Sequence, residues 1–156
     1  MRILARLLVL ITFSHAQLSI AGAWGVGSFE NDDALDYVEQ TMEDDIFQAV
    51  GVPFSHVVLA QNEGFIDAPT GSQVLAAAEI YAAIRGKPGT DFPGDIALWV
   101  ESKSWKIDDK VFSFAEYCSR QVLDPDRSEL AQLWQEDPEF YDKWLATVND
   151  LLKRLR

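Results

Sequence analysis

The sequence is poor in the residues that build covalent or metal frameworks. It has one cysteine, Cys118, and two histidines, His15 and His56. A lone cysteine cannot close an internal disulfide. His15 falls in a leader-like N-terminal stretch, so the rest of the chain cannot form a zinc site on two histidines. Basic residues are scarce too. Lys and Arg total 13 against 25 Asp and Glu, a formal net charge of -12. Such a surface repels nucleic-acid phosphates and anionic membranes. A basic protein partner or dissolved cations would suit it better, although net charge speaks to solubility first. Past residue 23 no apolar run approaches the roughly 20 residues that a membrane-spanning helix needs. Internal repeats, low-complexity tracts and long linkers are missing as well. What is left is a chain of 156 residues, 48% of them apolar. That is one domain's length, with enough apolar chain to bury a core unaided by disulfides or metals.

The N-terminus reads as a secretory signal peptide over residues 1–21. Arg2 and Arg6 supply the positive start, and Leu7 to Phe13 the apolar stretch. Ser19-Ile20-Ala21 offers cleavage after Ala21, with Ala16 and Ala23 as alternative frames. The competing reading is an uncleaved N-terminal anchor, because moderately apolar residues continue to Ala23. No cysteine follows the apolar stretch, so a lipid-anchored precursor is not supported. Removing the two leader arginines leaves 11 basic residues against 25 acids, a net charge of -14. The mature chain is expected to be exported to a periplasmic or extracellular location without stable membrane insertion.

Residues 22–156 read as one mainly α domain. Asn31 has the character of a helix N-cap, with Asp32 and Asp33 in the first turn, where acids favour the helix dipole. Ala34, Leu35, Val38, Met42, Ile46 and Phe47 then recur at helical spacing towards Gly51. Residues 52–69 are the least regular; His56 to Ala60 and Gly64 to Ile66 fit two short strands, or irregular structure under a helix. The first of these alternatives would add a small β-hairpin. Thr70 to Arg85 predicts a second helix, apolar nearly all round from Val74 to Ile84 and therefore central and buried. Gly86 and Pro88 stop it. Shorter helices are predicted over 95–101, from Asp108 or Asp109 to about Leu123, and over 128–135. The last opens with Asp137 as cap and Pro138 in its first turn. It carries a stripe of Phe140, Trp144, Val148, Leu151 and Leu155. Lys153, Arg154 and Arg156 complement its negative end.

Gly22-Ala23-Trp24-Gly25, followed by Phe29-Glu30-Asn31-Asp32-Asp33-Ala34, resembles the opening of the bacterial domain-of-unknown-function 4259 family. The resemblance continues at Ala76-Ala77-Ala78-Glu79, Gly86-Lys87-Pro88, Asp95 to Val100, Ser128-Glu129-Leu130, Leu133-Trp134 and Trp144. The family implies no activity, substrate or cofactor. Its members usually begin at that glycine after the initiator Met, so cleavage after Ala21 would restore the family's start.

No residue set completes a known chemistry. Gly25-Val26-Gly27 lacks the third glycine and the lysine of a phosphate loop, and Glu30, Asp32 and Asp33 would repel an anion. Asp32, Asp33 and Asp36 could hold a divalent cation, but helix-start acids need no metal. Asp124-Pro125-Asp126 begins like a calcium loop, yet Glu129 stands at the glycine position and Gln135 at the closing glutamate. Ser55-His56 is no triad, and His56 reads as an ordinary surface or packing residue. Cys118 shares the inward face with Phe114, Ala115 and Val122, which predicts an inert buried thiol. The pattern calls for no metal and no cofactor. Glu79 is the most informative residue, because it interrupts an apolar helix and a buried carboxylate needs partners. The expected donors are backbone N–H groups of the Trp24–Phe29 loop or the Trp24 indole.

The sequence thus leaves Trp24, Asp32, Asp33 and Glu79 as weak structural or functional candidates. The function it favours is a non-enzymatic binding or interaction module of inhibitor or immunity type. The alternative is a hydrolase using paired carboxylates, Glu79 with Asp32 or Asp33. N-terminal sequencing of the exported protein is expected to begin at Gly22, or failing that at Gln17 or Trp24. Intact Met1 on a soluble cytoplasmic form would overturn the leader assignment.

Overall fold

A computed structural model describes residues 22–44 and 47–156. The leader and Ile46 lie outside the described residues. The domain is an assembly of helices: α1 Asp32–Asp44, α2 Phe47–Val50, α3 Val52–Glu63, α4 Ala68–Ile84, α5 Gly94–Glu101, α6 Asp109–Val122, α7 Glu129–Gln135 and α8 Pro138–Arg154. The mainly α class read from the sequence is the observed one.

α4 is the axis. Val74, Ala76, Ala77, Ala78, Ile80 and Ala82 are completely buried, so the helix has almost no solvent face. A helix apolar on every side must be covered on every side, and α1, α3, α5, α6, α7 and α8 all pack on it. Its small side chains permit this crowding. At Gly71, near its N-terminus, a Cβ would lie 3.1 Å from the Leu130 Cβ of α7.

Most caps follow the sequence. Asn31 Oδ1 accepts from the Ala34 N–H at 2.8 Å. Asp108 and Asp137 accept from first-turn N–H groups of α6 and α8. Ser128 caps α7 through Ala131 at 3.4 Å. Gly86, with φ of 80°, takes the left-handed conformation that ends α4.

Residues 52–69 hold the main correction. Among the described residues there is no hairpin there. Val52–Glu63 is helical, with Pro53 in the first turn, where its missing N–H costs nothing. The chain leaves through Gly64 at φ of 106°. α4 then begins at Ala68, two residues earlier than predicted, under an Asp67 cap that accepts from Thr70 at 2.8 Å. The run reads poorly as a helix because apolar side chains surround it. Phe54 and Val57 face the core, while Val52, Val58 and Leu59 face outward. Among the described residues extended pairing is confined to two isolated bridges, Ala23 with Asn31 and Ile66 with Ser128.

Two smaller differences have the same cause, that a helical stripe is wider on paper than in contact. The predicted inward residues Leu35 and Phe140 are 38% and 41% exposed. Lys143 sits over the Phe140 ring at 4.7 Å. The contact between α7 and α8 is instead made by Trp134 and Trp144, stacked at 5.9 Å, with Tyr141 against Trp144.

Gly71→Ala should lower stability by about 1–3 kcal/mol in urea unfolding. The added methyl meets a β-carbon fixed to the α7 backbone, which outweighs the gain of up to about 1 kcal/mol in helix propensity. Gly94→Ala is the control, since nothing lies within 4 Å of its Cβ position; it should stay within about 0.5 kcal/mol of the parent.

Candidate functional site

Glu79 lies in the fourth turn of α4, where its neighbours are buried alanines and Ile80. Its partner is Arg154, in the last turn of α8. Arg154 Nη1 donates to Glu79 Oε2 at 2.7 Å and Nη2 donates to Oε1 at 2.6 Å. This is a two-pronged pair, the arrangement that a planar guanidinium makes best. The side chains are only 7% and 15% exposed respectively. Arg154 is held further by Asp150 Oδ2, which accepts from Nε at 2.7 Å, and by the Lys87 carbonyl at 3.3 Å. Burial alone would lower the Arg154 pKa, but hydrogen bonds and charge from Glu79 and Asp150 raise it above its ordinary value. The guanidinium is therefore a fixed cation. The Gly89 backbone closes over the pair; a Cβ there would lie 3.3 Å from Arg154 Nη2 and 3.4 Å from Glu79 Oε2.

The expected donors to Glu79 were thus in the wrong place. The opening loop does reach this region, but as a wall. The backbone N–H of Trp24 donates to the Glu30 carbonyl at 3.0 Å, and the residue is 54% exposed. Glu30 folds back so that its Oε2 accepts from Gly27 N–H at 2.7 Å. The Glu30 carboxylate fills the space a side chain on Gly25 would take, so a larger residue there would have to displace it.

Between this loop, the Gly89–Phe92 segment, α4 and α8 lies a cavity of about 480 Å³. That is within the size range of small-molecule sites. Four carboxylates line it, those of Glu30, Glu79, Asp91 and Asp150, against one guanidinium, that of Arg154. Val26, Phe29, Phe92 and Ala146 give it apolar walls. Phe29 and Phe92 meet edge to face with centroids 5.5 Å apart. Ser28 separates the cavity from a second pocket of about 10 Å³ bordered by Asn31, Ser72, Trp134 and Trp144. The Ser28 residue is 9% exposed, and its hydroxyl is buried without a hydrogen-bond partner.

The remaining sequence candidates are scattered. Asp32 and Asp33 open α1 and do not line the cavity. Partial burial, then the charges of Asp32, Asp36 and Asp67, push the Asp33 carboxyl above its ordinary value. His56 is exposed on α3. Cys118 is buried beside the Phe54 carbonyl, and burial pushes its thiol up to about 12, so it is protonated near neutrality. Among the described residues no group of three or more His, Cys, Asp or Glu is gathered to hold a metal. No described helix is long and apolar enough to cross a membrane. Sequence reasoning missed Arg154, Asp91 and Asp150. The need of Glu79 for a cation was readable, but not which cation would meet it.

Glu79→Gln and Arg154→Met should each cost about 2–3 kcal/mol, because each strands the other charge in a poorly solvated site. The double variant should cost less than the two together, leaving a coupling energy of about 1 kcal/mol or more in urea unfolding. Additive losses would show that the pair does not act as a unit.

None of the curated proteins and none of the solved structures matches the chain. A family described as a domain of unknown function, DUF4259, matches residues 22–147. The likeness carried by the Gly22-to-Ala34 opening therefore extends through the helices as far as α8, and the chain belongs to the DUF4259 family.

Proposed function

We propose that this protein is an exported, non-enzymatic binding module that engages a basic partner protein, in the manner of an inhibitor or immunity protein. The observation that carries this reading is the charge imbalance of the cavity, four carboxylates against one guanidinium. It lies in a chain whose acids already outnumber its bases 25 to 13. Such a field attracts a cationic surface at long range and sets its orientation on approach. The leader-like stretch from Arg2 to Ala21 supports placing the encounter outside the cytoplasm.

The hydrolase alternative needs two carboxylates at one concave site, one of them free to move a proton. Glu79 borders the cavity, but Asp32 and Asp33 do not. Both Glu79 oxygens are occupied by Arg154. The arrangement favours binding over that chemistry.

Pull-down from the native extract should recover a basic protein at low salt, with retention falling steeply as sodium chloride rises. Recovery of nothing, or of a partner indifferent to salt, would overturn the proposal.

A further inference from the structure

The outer face of α3 differs from the rest of the surface. α1, α6 and α8 are rich in charged residues, in keeping with a chain of 25 acids. From Phe47 to Asn62 there is no Asp, Glu, Lys or Arg at all. In α4 a similar run from Ala68 to Ala78 is explained by burial. In α3 it is not, because Val52, Ser55, His56, Val58 and Leu59 are all exposed. The uncharged surface continues past the helix. Phe65 follows it and borders a shallow depression together with Gln121 of α6. Val58 stands one turn from Phe54, whose ring meets the Phe114 ring of α6 at 6.0 Å, and Tyr117 lies one turn beyond Phe114. Val52, Val58, Leu59, Phe65, Phe114 and Tyr117 are between 39% and 60% exposed. Together they leave on the order of 500 Å² of apolar surface in water on each copy, a patch of the size that marks an interaction site.

We infer that α3, with Phe65 and the Phe114–Tyr117 edge of α6, is a self-association face at which two copies of this chain meet as a symmetric dimer. Charge selects a second copy. Each copy carries a formal net charge of -12, so two copies repel over most of their surface. On α3 they approach without setting carboxylate against carboxylate, whereas a basic partner gains nothing from an uncharged helix. A two-fold contact lays like surface on like, which an apolar face accepts and an acidic one does not. Area agrees with charge. Joining two such faces removes about 1,000 Å² of apolar surface, and flanking polar residues such as Ser55 and His56 bring the total into the ~1,200–2,000 Å² of a stable interface. None of these residues lines the acidic cavity. The inference therefore goes beyond the binding-module reading and does not depend on it.

The test is sedimentation equilibrium of the processed protein from about 1 to 500 μM, in 50 and 500 mM sodium chloride. A monomer–dimer equilibrium is expected, tightened about threefold or more at the higher salt, because screening removes repulsion between acidic copies. Leu59→Glu should weaken it about tenfold or more. Leu59 is 60% exposed, so the variant keeps the parent's melting profile. Leu98→Glu is the control: Leu98 is the more exposed residue, on α5 away from this face, and its replacement should leave the dimer unchanged. On dilution, amide shifts should be confined to α3, Phe65 and the outer edge of α6. A monomer at every concentration, a dimer weakened by salt, or an undiminished dimer in Leu59→Glu would each overturn the inference. Two monomeric outcomes name another occupant. If α3 amides shift when the basic partner is added, the face is the partner's; if they shift in a chain that retains residues 1–21, it is the leader's. Leu59→Glu that loses the dimer but keeps the salt-sensitive pull-down supports self-association and leaves the basic-partner proposal standing. Loss of the pull-down in a wild-type chain that still dimerises overturns only that proposal.

Discussion

Near-complete enclosure of α4 is the constraint from which the other features descend. Eleven consecutive residues from Val74 to Ile84 carry one charge among them, at Glu79. Water cannot be left against such a surface at tolerable cost. Each side of α4 is therefore covered, and the alanines and Gly71 set how near its neighbours come. The remaining helices are arranged by what they must cover. α1 supplies Ala34 and Val38, α6 supplies Ala115, Cys118 and Val122, and α8 supplies Val148, Leu151 and Leu155. Tyr37 reaches across from α1 to bond the Val50 carbonyl at 2.8 Å, tying the α1–α2 bend to the same body.

Glu79 is the exception that this enclosure has to accommodate, and it dictates how the C-terminal helix ends. A carboxylate in an apolar helix requires a cation, and α8 delivers Arg154 from its last turn. Nearby contacts secure the same end. Arg156 bonds Glu116 on α6, and Arg85 bonds the Arg156 carbonyl at 2.9 Å. Hydrogen bonds from Arg156 and then Arg120 hold the Glu116 carboxyl below its ordinary value, against some opposing burial. Basic residues that would satisfy any helix C-terminus are here used on specific acids. Because Arg154 is committed to Glu79, the surrounding carboxylates of Asp91 and Glu30 are not neutralised, and the cavity keeps its negative sign.

The element boundaries were legible where capping chemistry is local. Asn31, Asp108, Ser128 and Asp137 each start a helix through a side chain bonded to an N–H two or three residues on. α3 was not legible, because Phe54, Val57, Val58 and Leu59 are apolar on too many sides to show a helical stripe. Only the packing of Phe54 on Tyr81 and Phe114 selects which of them is inside. The candidate site was half legible. Glu79 stood out by its type, and the loop from Trp24 by its glycines. Asp91 and Asp150 gave no signal, being ordinary surface acids in a chain with many.

The sequence by itself determined the helical class, the central place of α4, the acidic balance and the requirement that Glu79 find a partner. These follow from composition, short-range periodicity and capping, which act within a few residues along the chain. Tertiary structure alone decided that the partner is Arg154, 75 residues away, and that Ser28, Asp91 and Asp150 border one cavity. The physical reason is range. A carboxylate states a demand for charge and hydrogen bonds without naming its source, and only the packing of helices around α4 brings one particular guanidinium within reach.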